Sequence, residues 1–420
     1  MPTLAERLKS LGVKTGAQDL PPPKKSQAHP IEEVMPGRFA PTPDGAAYIV
    51  ETAYDDGYQH GRYGLQPKTA LDTIAEWSGE AQVAQLPHQA FAFLDTETSG
   101  LAGGSGTYAF LVGIGKFSES GFSLAQFFLR DPLEESALLL AVEEFIAPCQ
   151  AMVTFNGKSF DIPLLNARYT MQGWQSPFRS LAHVDLLHLA RRLWRDRLPS
   201  RTLSSLEAQI LGTERSDEEI PGWMIPQMYF DYLRDGDARP MKRVFYHNAM
   251  DVLSMAALLN HTAQMLEAPF DFQAVHCIEQ AAIARLNEAL GHPDEAVQLY
   301  ERSLQGDLPQ ELLNDTLERL ALLHKRQGHF PLALPLWERA AQEGQLFAFE
   351  ELAKYYEHHA RDLGQALHWT NAALAHLDGP GTGRLERLQN QPEFLHRQER
   401  LLRKQEALKS CSANGSENRV

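Results

Sequence analysis

The hydrophobic period of this chain changes once, near residue 268, and that change limits what it can fold into. From about Leu86 to residue 265 short apolar runs alternate with helical patterns, and beyond that point only helical spacing recurs. FAFLDTE, TYAFLVGIGKF and GFSLAQFFLR read as three strands separated by glycine and serine, the pattern of an antiparallel meander. LEESALLLAVEEFIAP then reads as a helix, AMVTFNG as a buried strand and SFDIPLLNARYT as a helix, with further helices through Val252. This order predicts an α/β domain over residues 86–265: a three-strand meander, then alternating helix and strand, in a mixed sheet covered by helices.

The flanks differ in texture. Residues 1–85 begin with an amphipathic helix candidate, LAERLKSLG, and run into DLPPPKKSQAHP, whose prolines forbid regular structure. They read as an N-terminal segment with a proline-rich linker, followed from Ala47 by a strand and loop of unassigned role. In the last third, GHPDEAVQLYERSL (291–304) and GHFPLALPLWERAA (328–341) share a starting glycine, an alanine (Ala296, Ala333) and an aromatic residue one turn later (Tyr300, Trp337). DLGQALHWTNAALAH keeps Ala366, and each copy follows a helix with a small residue at its crossing point: Ala284, Ala321 and Ala353. A period in the mid-thirties predicts an all-α domain of tetratricopeptide (TPR) repeats over 268–380. Residues 381–420 read as a basic, solvated helix and a disordered tail.

Composition narrows the setting. With 420 residues, 43% of them hydrophobic, the chain has room for two or three domains with cores of their own. It has no long apolar run and no charged-then-apolar leader, so the expectation is neither a membrane span nor a secreted protein. Cys149, Cys277 and Cys411 are far apart and match no metal-ligand spacing, which suits a reducing cytoplasm. A formal charge of -15 argues against a surface coated for duplex DNA, so a nucleic-acid partner would be gripped locally.

Four acidic residues carry the chemistry. Asp95 and Glu97, two apart at a strand end, share one face and can address one cation, with Thr96 facing away. Asp161 follows a buried strand and the Asn156–Gly157 turn, among apolar residues where an unpaired charge is costly. Asp251 falls in a long helix with His247 one turn before it, an imidazole placed to orient or deprotonate a water.

The set LDTET, FNGKSFDIPLL and HNAMDVLS resembles the three motifs of the DEDD exonucleases. With GLAGGSGTYAFLVGIG after the first motif and helical repeats behind, residues 86–380 resemble the YprB-like proteins, which join a ribonuclease H-like exonuclease domain to TPR repeats. The resemblance implies a ribonuclease H-like fold and removal of nucleotides from a 3′ end by two Mg²⁺ or Mn²⁺ ions. Its ligands here would be Asp95, Glu97, Asp161 and Asp251. Oxygen-only ligation fits such hard ions. The familiar subclasses carry a tyrosine four residues before the last aspartate or a histidine five before it. This chain has His247 at four and Tyr246 at five, so His247 is the expected general base and Tyr246 the alternative.

Around these motifs, Asn156 is expected to shape the turn or meet a terminal nucleotide, and Lys158 to meet a phosphate. Asp185 would support the metal site from behind its ligands or begin a helix. Arg191, Arg192 and Arg195 surround Trp194, a combination suited to the phosphates and a stacked base of single-stranded DNA or RNA. Gly103, Gly104 and Gly106 read as a hairpin connection, since no Lys-Ser/Thr follows to make a nucleotide loop. Two readings follow: an exonuclease whose TPR repeats recruit a protein partner or restrict the substrate, or a repeat-based scaffold carrying a weakly active or inactive nuclease fold.

Overall fold

The computed structural model describes residues 29–100, 106–270 and 275–416. The chain divides into two compact units, Met1–Leu189 with Arg201–Glu267, and Ala190–Ser200 with Ala268–Val420. The candidate amphipathic helix near the N-terminus, nearly all of the proline-rich stretch, and Gly103 and Gly104 lie outside the described residues.

The first unit is a mixed sheet with helices. Its strands are β1 (Arg38–Thr42), β2 (Gly45–Asp55), the two-residue β3 (Gln59–His60) and β4 (Tyr63–Gly64), β5 (Phe91–Thr98), β6 (Ala109–Ser118), β7 (Gly121–Phe128), β8 (Ala151–Thr154) and β9 (Ala182–Asp185). Seven of them form one sheet in the order β1-β2-β7-β6-β5-β8-β9. β5, β6 and β7 make the antiparallel meander, and β8 and β9 continue from β5 in parallel. Parallel pairing needs crossovers, and here they are the helices α2 (Glu135–Ile146) and α3 (Asp161–Met171), after α1 (Asp72–Ser78). Then come α4 (Leu186–Leu193), α5 (Ile225–Asp235) and the long α6 (Met241–Glu267), which packs on β5 and β6.

Two features of this unit differ from the sequence reading. Residues 38–55 are not a separate N-terminal segment: β2 pairs with β7 from Tyr48↔Phe128 to Asp55↔Gly121, and Tyr48, Ile49 and Val50 are buried in the core. Alternating residues of such a strand satisfy a sheet face only when its partner, seventy residues on, is known. Residues 182–185 form a strand absent from that reading, and Asp185 ends it where α4 begins, accepting from the Leu187 N–H at 3.1 Å as expected of a residue that starts a helix.

The second unit is helical: α7 (Cys277–Leu290), α8 (Pro293–Ser303), α9 (Gln310–Arg326), α10 (Phe330–Gln342), α11 (Leu346–His358), α12 (Leu363–Asp378) and α13 (Arg384–Ser416). The recurring glycines close the preceding helices: Gly291 and Gly328 sit at φ 88° and 77°, a left-handed conformation that glycine adopts without strain. Ala284, Ala321 and Ala353, with Ala296, Ala333 and Ala366, are all fully buried, so neighbouring helices approach closely at these points. The final helix is not wholly solvated as expected: Phe394 and Leu401 are buried, while Arg400 and Lys404 hold Glu357 at 2.7 Å each. Residues 417–420 of the expected tail lie outside the described residues. Among the described residues no helix is long and apolar enough to cross a membrane.

Candidate active site

β5 changes character along its length: Phe91–Leu94 are buried beneath helices, and Asp95–Thr98 are only partly covered. The register between β5 and β6 shifts at Glu97/Thr98, which bends the strand end beside the site. Asp95, Glu97, Asp161 and Asp251 come together there, close enough for each of the first two to be raised by the charges of the others. Burial, then the neighbouring carboxylates, pushes Asp95 and Glu97 well above the usual range. Burial also raises Asp251, and it pushes Asp161 up to about 6 against the hydrogen bonds that Asp161 accepts.

Three of the four carboxylates are held by a hydrogen-bonding neighbour. Asp95 faces Gly113 across the ladder, and over that glycine lies Asn248, whose Nδ2 donates to Asp95 Oδ2 at 2.8 Å. Gln126 fixes the amide in turn, donating from Nε2 to Asn248 Oδ1 at 2.8 Å. A methyl group on Gly113 would lie 2.1 Å from Asn248 Oδ1, so only glycine lets the amide reach this place. Thr96 does not face away as expected: at the bent strand end its hydroxyl donates to Asp161 Oδ1 at 2.5 Å.

Asp185 works on the turn that leads into Asp161. It is buried and accepts from the backbone N–H groups of Asn156 (2.8 Å), Lys158 (3.0 Å) and Leu187 (3.1 Å). Asn156 adopts φ 71°, and a Cβ on Gly157 would meet Thr154 Cβ at 2.5 Å, so the FNG turn is set by backbone demands. The Lys158 side chain is exposed.

His247 lies above the carboxylates with Nε2 at 3.5 Å from Asp251 Oδ2 and 3.9 Å from Glu97 Oε1. Its Nδ1 donates to Glu219 Oε1 at 2.7 Å, since a carboxylate only accepts, and its Nε2 faces the acids. Tyr246 is turned elsewhere, its hydroxyl accepting from the Ser216 N–H at 2.9 Å. Arg215 completes the cluster. It is bonded to Asp251, to Glu207 at 2.6 Å and to Glu219 at 3.0 Å. Glu207 is buried and also accepts from Ser254 at 2.6 Å, and Ser254 meets His60 at 2.7 Å. Arg215, Glu219, His247 and Asp251 line an open cleft of about 630 Å³ with Ser204 and Ile220.

The donor set suits a hard divalent cation: oxygen ligands only, partly desolvated, and mutually repelling without a positive charge between them. Among the described residues, no three of His, Cys, Asp or Glu are drawn in to metal-ligand geometry. Thr96, Asn248 and Arg215 engage these carboxylates instead.

The RNase_H superfamily profile matches residues 92–263, which span all four carboxylates and His247. The "Uncharacterized protein YprB" of Bacillus subtilis (strain 168) is 31% identical over 342 residues, 79% of this chain and 81% of that protein. The chain belongs to the YprB family. Among solved structures, the family B DNA polymerase from the hyperthermophilic archaeon Pyrobaculum calidifontis overlaps 57% of this chain and 29% of its own. At 17% identity and a TM-score of 0.34 it is too distant to bear on the assignment.

In this YprB-family chain the sequence reading missed Thr96, Asn248, Glu207, Arg215 and Glu219 as members of the site. Asn248 has a signal in the sequence, its place between His247 and Asp251 in the HNAMD motif. Arg215 and Glu219 lie in a non-helical, acid-rich segment, LGTERSDEEI, where no period signals a buried role. Arg191, Arg192, Trp194 and Arg195 belong to the helical unit. Trp194 cannot stack on a base: the indole is completely buried and its Nε1 donates to Glu279 at 2.7 Å.

Proposed function

We propose that this chain is a metal-dependent 3′–5′ exonuclease acting on single-stranded nucleic acid, with TPR-type repeats that recruit a partner or restrict the substrate. The observation that carries the reading is the convergence of Asp95, Glu97, Asp161 and Asp251 beneath His247, within an RNase H-superfamily domain. Asp95, Glu97, Asp161 and Asp251 would hold two Mg²⁺ or Mn²⁺ ions. Bound there, such ions supply charge neutralisation and Lewis acidity for phosphodiester hydrolysis.

The protein's own groups do the rest. His247 is the general base rather than Tyr246: its Nε2 accepts a proton from water in the cleft, and Glu219 holds the Nδ1–H so that this tautomer faces the acids. Asn248 and Thr96 fix the rotamers of Asp95 and Asp161. Asp185 acts one step further back, through the turn that carries Asp161. Asn156 shapes that turn, and exposed Lys158 is free to meet a phosphate of the strand.

Support for the TPR reading comes from the helix starts at Cys277, Gln310 and Leu346, alternating with Pro293, Phe330 and Leu363, and from the buried alanine at each crossing. A scaffold bearing an inactive nuclease fold is the competing reading, and the bond from Arg215 to Asp251 favours it, because it neutralises a ligand within the protein. Incubating 5′-labelled single-stranded DNA and RNA with Mg²⁺ or Mn²⁺ separates the two. The exonuclease gives a descending ladder that chelator and Asp95→Ala both abolish, and intact oligonucleotides under every metal leave only the scaffold.

A further inference from the structure

The helical unit contains a pocket of about 340 Å³ lined by Arg191, Arg192, Arg195, Arg285, Arg319 and Glu288. Its arginines come from three places in the fold: α4 and the segment after it, α7 and α9. Three carboxylates answer them. Asp196 pairs with Arg195 at 3.1 Å and with Arg285, Asp315 with Arg319 at 2.9 Å, and Glu288 with Arg319 at 3.1 Å. Arg191 and Arg192 are exposed and have no hydrogen-bond or ion-pair partner among the described residues, so the positive excess of the pocket rests on them.

With Arg195, Arg285 and Arg319 answered by carboxylates, the guanidinium groups of Arg191 and Arg192 leave the concavity with a positive excess that an entering anion balances. That such a focus exists on a chain of net charge -15 makes it a local feature rather than part of a basic surface. The planar fork of arginine matches the oxygens of a phosphate group. Apart from Ala289 the lining offers only charged side chains and no aromatic ring, since Trp194 is buried, so nothing here stacks on or reads a base.

We propose that this pocket is an anion site of the helical unit that takes the phosphodiester backbone of a single strand, independently of sequence. The phosphate chemistry follows from the pocket alone, and the choice of a strand as its source rests on the nuclease reading.

The test uses the full chain carrying Asp95→Ala, in chelator, so that no hydrolysis intervenes and binding is measured whether or not the site is catalytic. Fluorescence anisotropy with oligothymidylate and oligouridylate compares it with Arg191→Glu/Arg192→Glu. The control is Arg302→Glu/Arg339→Glu, an equal change of net charge at exposed positions outside the pocket. The pocket variant should bind about tenfold more weakly, with the slope of log K against log salt shallower by about 1.4 for two lost phosphate contacts. Unchanged affinity and slope, or an equal loss in the control, overturns the proposal. Calorimetry with pyrophosphate and with an oligoglutamate peptide covers the other sources. Loss of either in the pocket variant while oligonucleotide binding persists shows that the site serves a free phosphate compound or an acidic protein, and also overturns it. Failure of the exonuclease ladder together with loss of strand binding in the pocket variant retains the anion site and removes only the nuclease reading.

Discussion

Replacing Gly113 by alanine tests how the first carboxylate is held. The new methyl would lie 2.1 Å from Oδ1 of Asn248 and 2.8 Å from its Cγ and Nδ2. Asn248 is completely buried and bonded on both sides, to Gln126 and to Asp95, so it yields only by breaking these bonds. Overpacking of this kind costs about 1–3 kcal/mol, and losing a hydrogen bond to a charged partner about 1.5–3 kcal/mol. Together they give a destabilisation of about 3–5 kcal/mol. At roughly 2–4 °C per kcal/mol for a unit of this size, the melting transition falls by about 6–20 °C. Calorimetry on the full chain measures the shift, and an oligonucleotide assay below the transition should show hydrolysis reduced, although no carboxylate has changed. A double-mutant cycle with Asn248→Ala isolates the cause: with the amide removed, Gly113→Ala should cost less than about 1 kcal/mol. An equal cost in both backgrounds would refute the argument, because Gly113 would then be acting on something other than Asn248.

Other perturbations follow from the same geometry. Glu219→Ala removes the acceptor that fixes the His247 tautomer. It should lower kcat by about tenfold to a hundredfold with little change in Mn²⁺ affinity, as read by single-turnover kinetics beside metal titration. Burial first, then Lys158, holds His183 down to about 4 while its Nε2 meets the Thr154 hydroxyl at 2.8 Å. A histidine depressed in the folded state contributes stability above its unfolded value near 6.5. That contribution is lost as pH falls toward about 4, so the change in stability between pH 7 and pH 4.5, read by urea unfolding, should be about 1–3 kcal/mol less destabilising in His183→Gln than in the wild type. Leu401→Ala empties a fully buried position on α13 and should destabilise the helical unit by about 2–5 kcal/mol in denaturant titration; a solvated final helix would show no change.

Much of the site was written in local spacing. Asp95 and Glu97 two apart on a strand, and His247 and Asp251 four apart on a helix, are neighbours by backbone geometry alone, and the structure places them so. Asp161 was legible from the turn before it. What escaped depends on contacts that no local period encodes. The pairing of β2 with β7 joins residues near 50 to residues near 125, and the Asn248 amide reaches Asp95 only because Gly113, on another strand, lacks a side chain. Arg215 and Glu219 come from an irregular segment whose polar composition resembles any surface loop. Trp194 was misread because an indole among arginines looks like a stacking platform, whereas Glu279 draws its N–H inward. The last helix was misread because its apolar positions are few, and Phe394 and Leu401 suffice to seat it.

Asp95, Glu97, Asp161 and Asp251 are proposed to form one divalent-cation site. Electron paramagnetic resonance during a Mn²⁺ titration of the metal-free chain tests it most directly. Wild type should bind two ions per chain, magnetically coupled by their proximity, and the coupled signal should be lost in Asp95→Asn and in Asp251→Asn. Wild type that leaves Mn²⁺ free in solution, or variants that bind it as the wild type does, would show that these carboxylates are not a cation site.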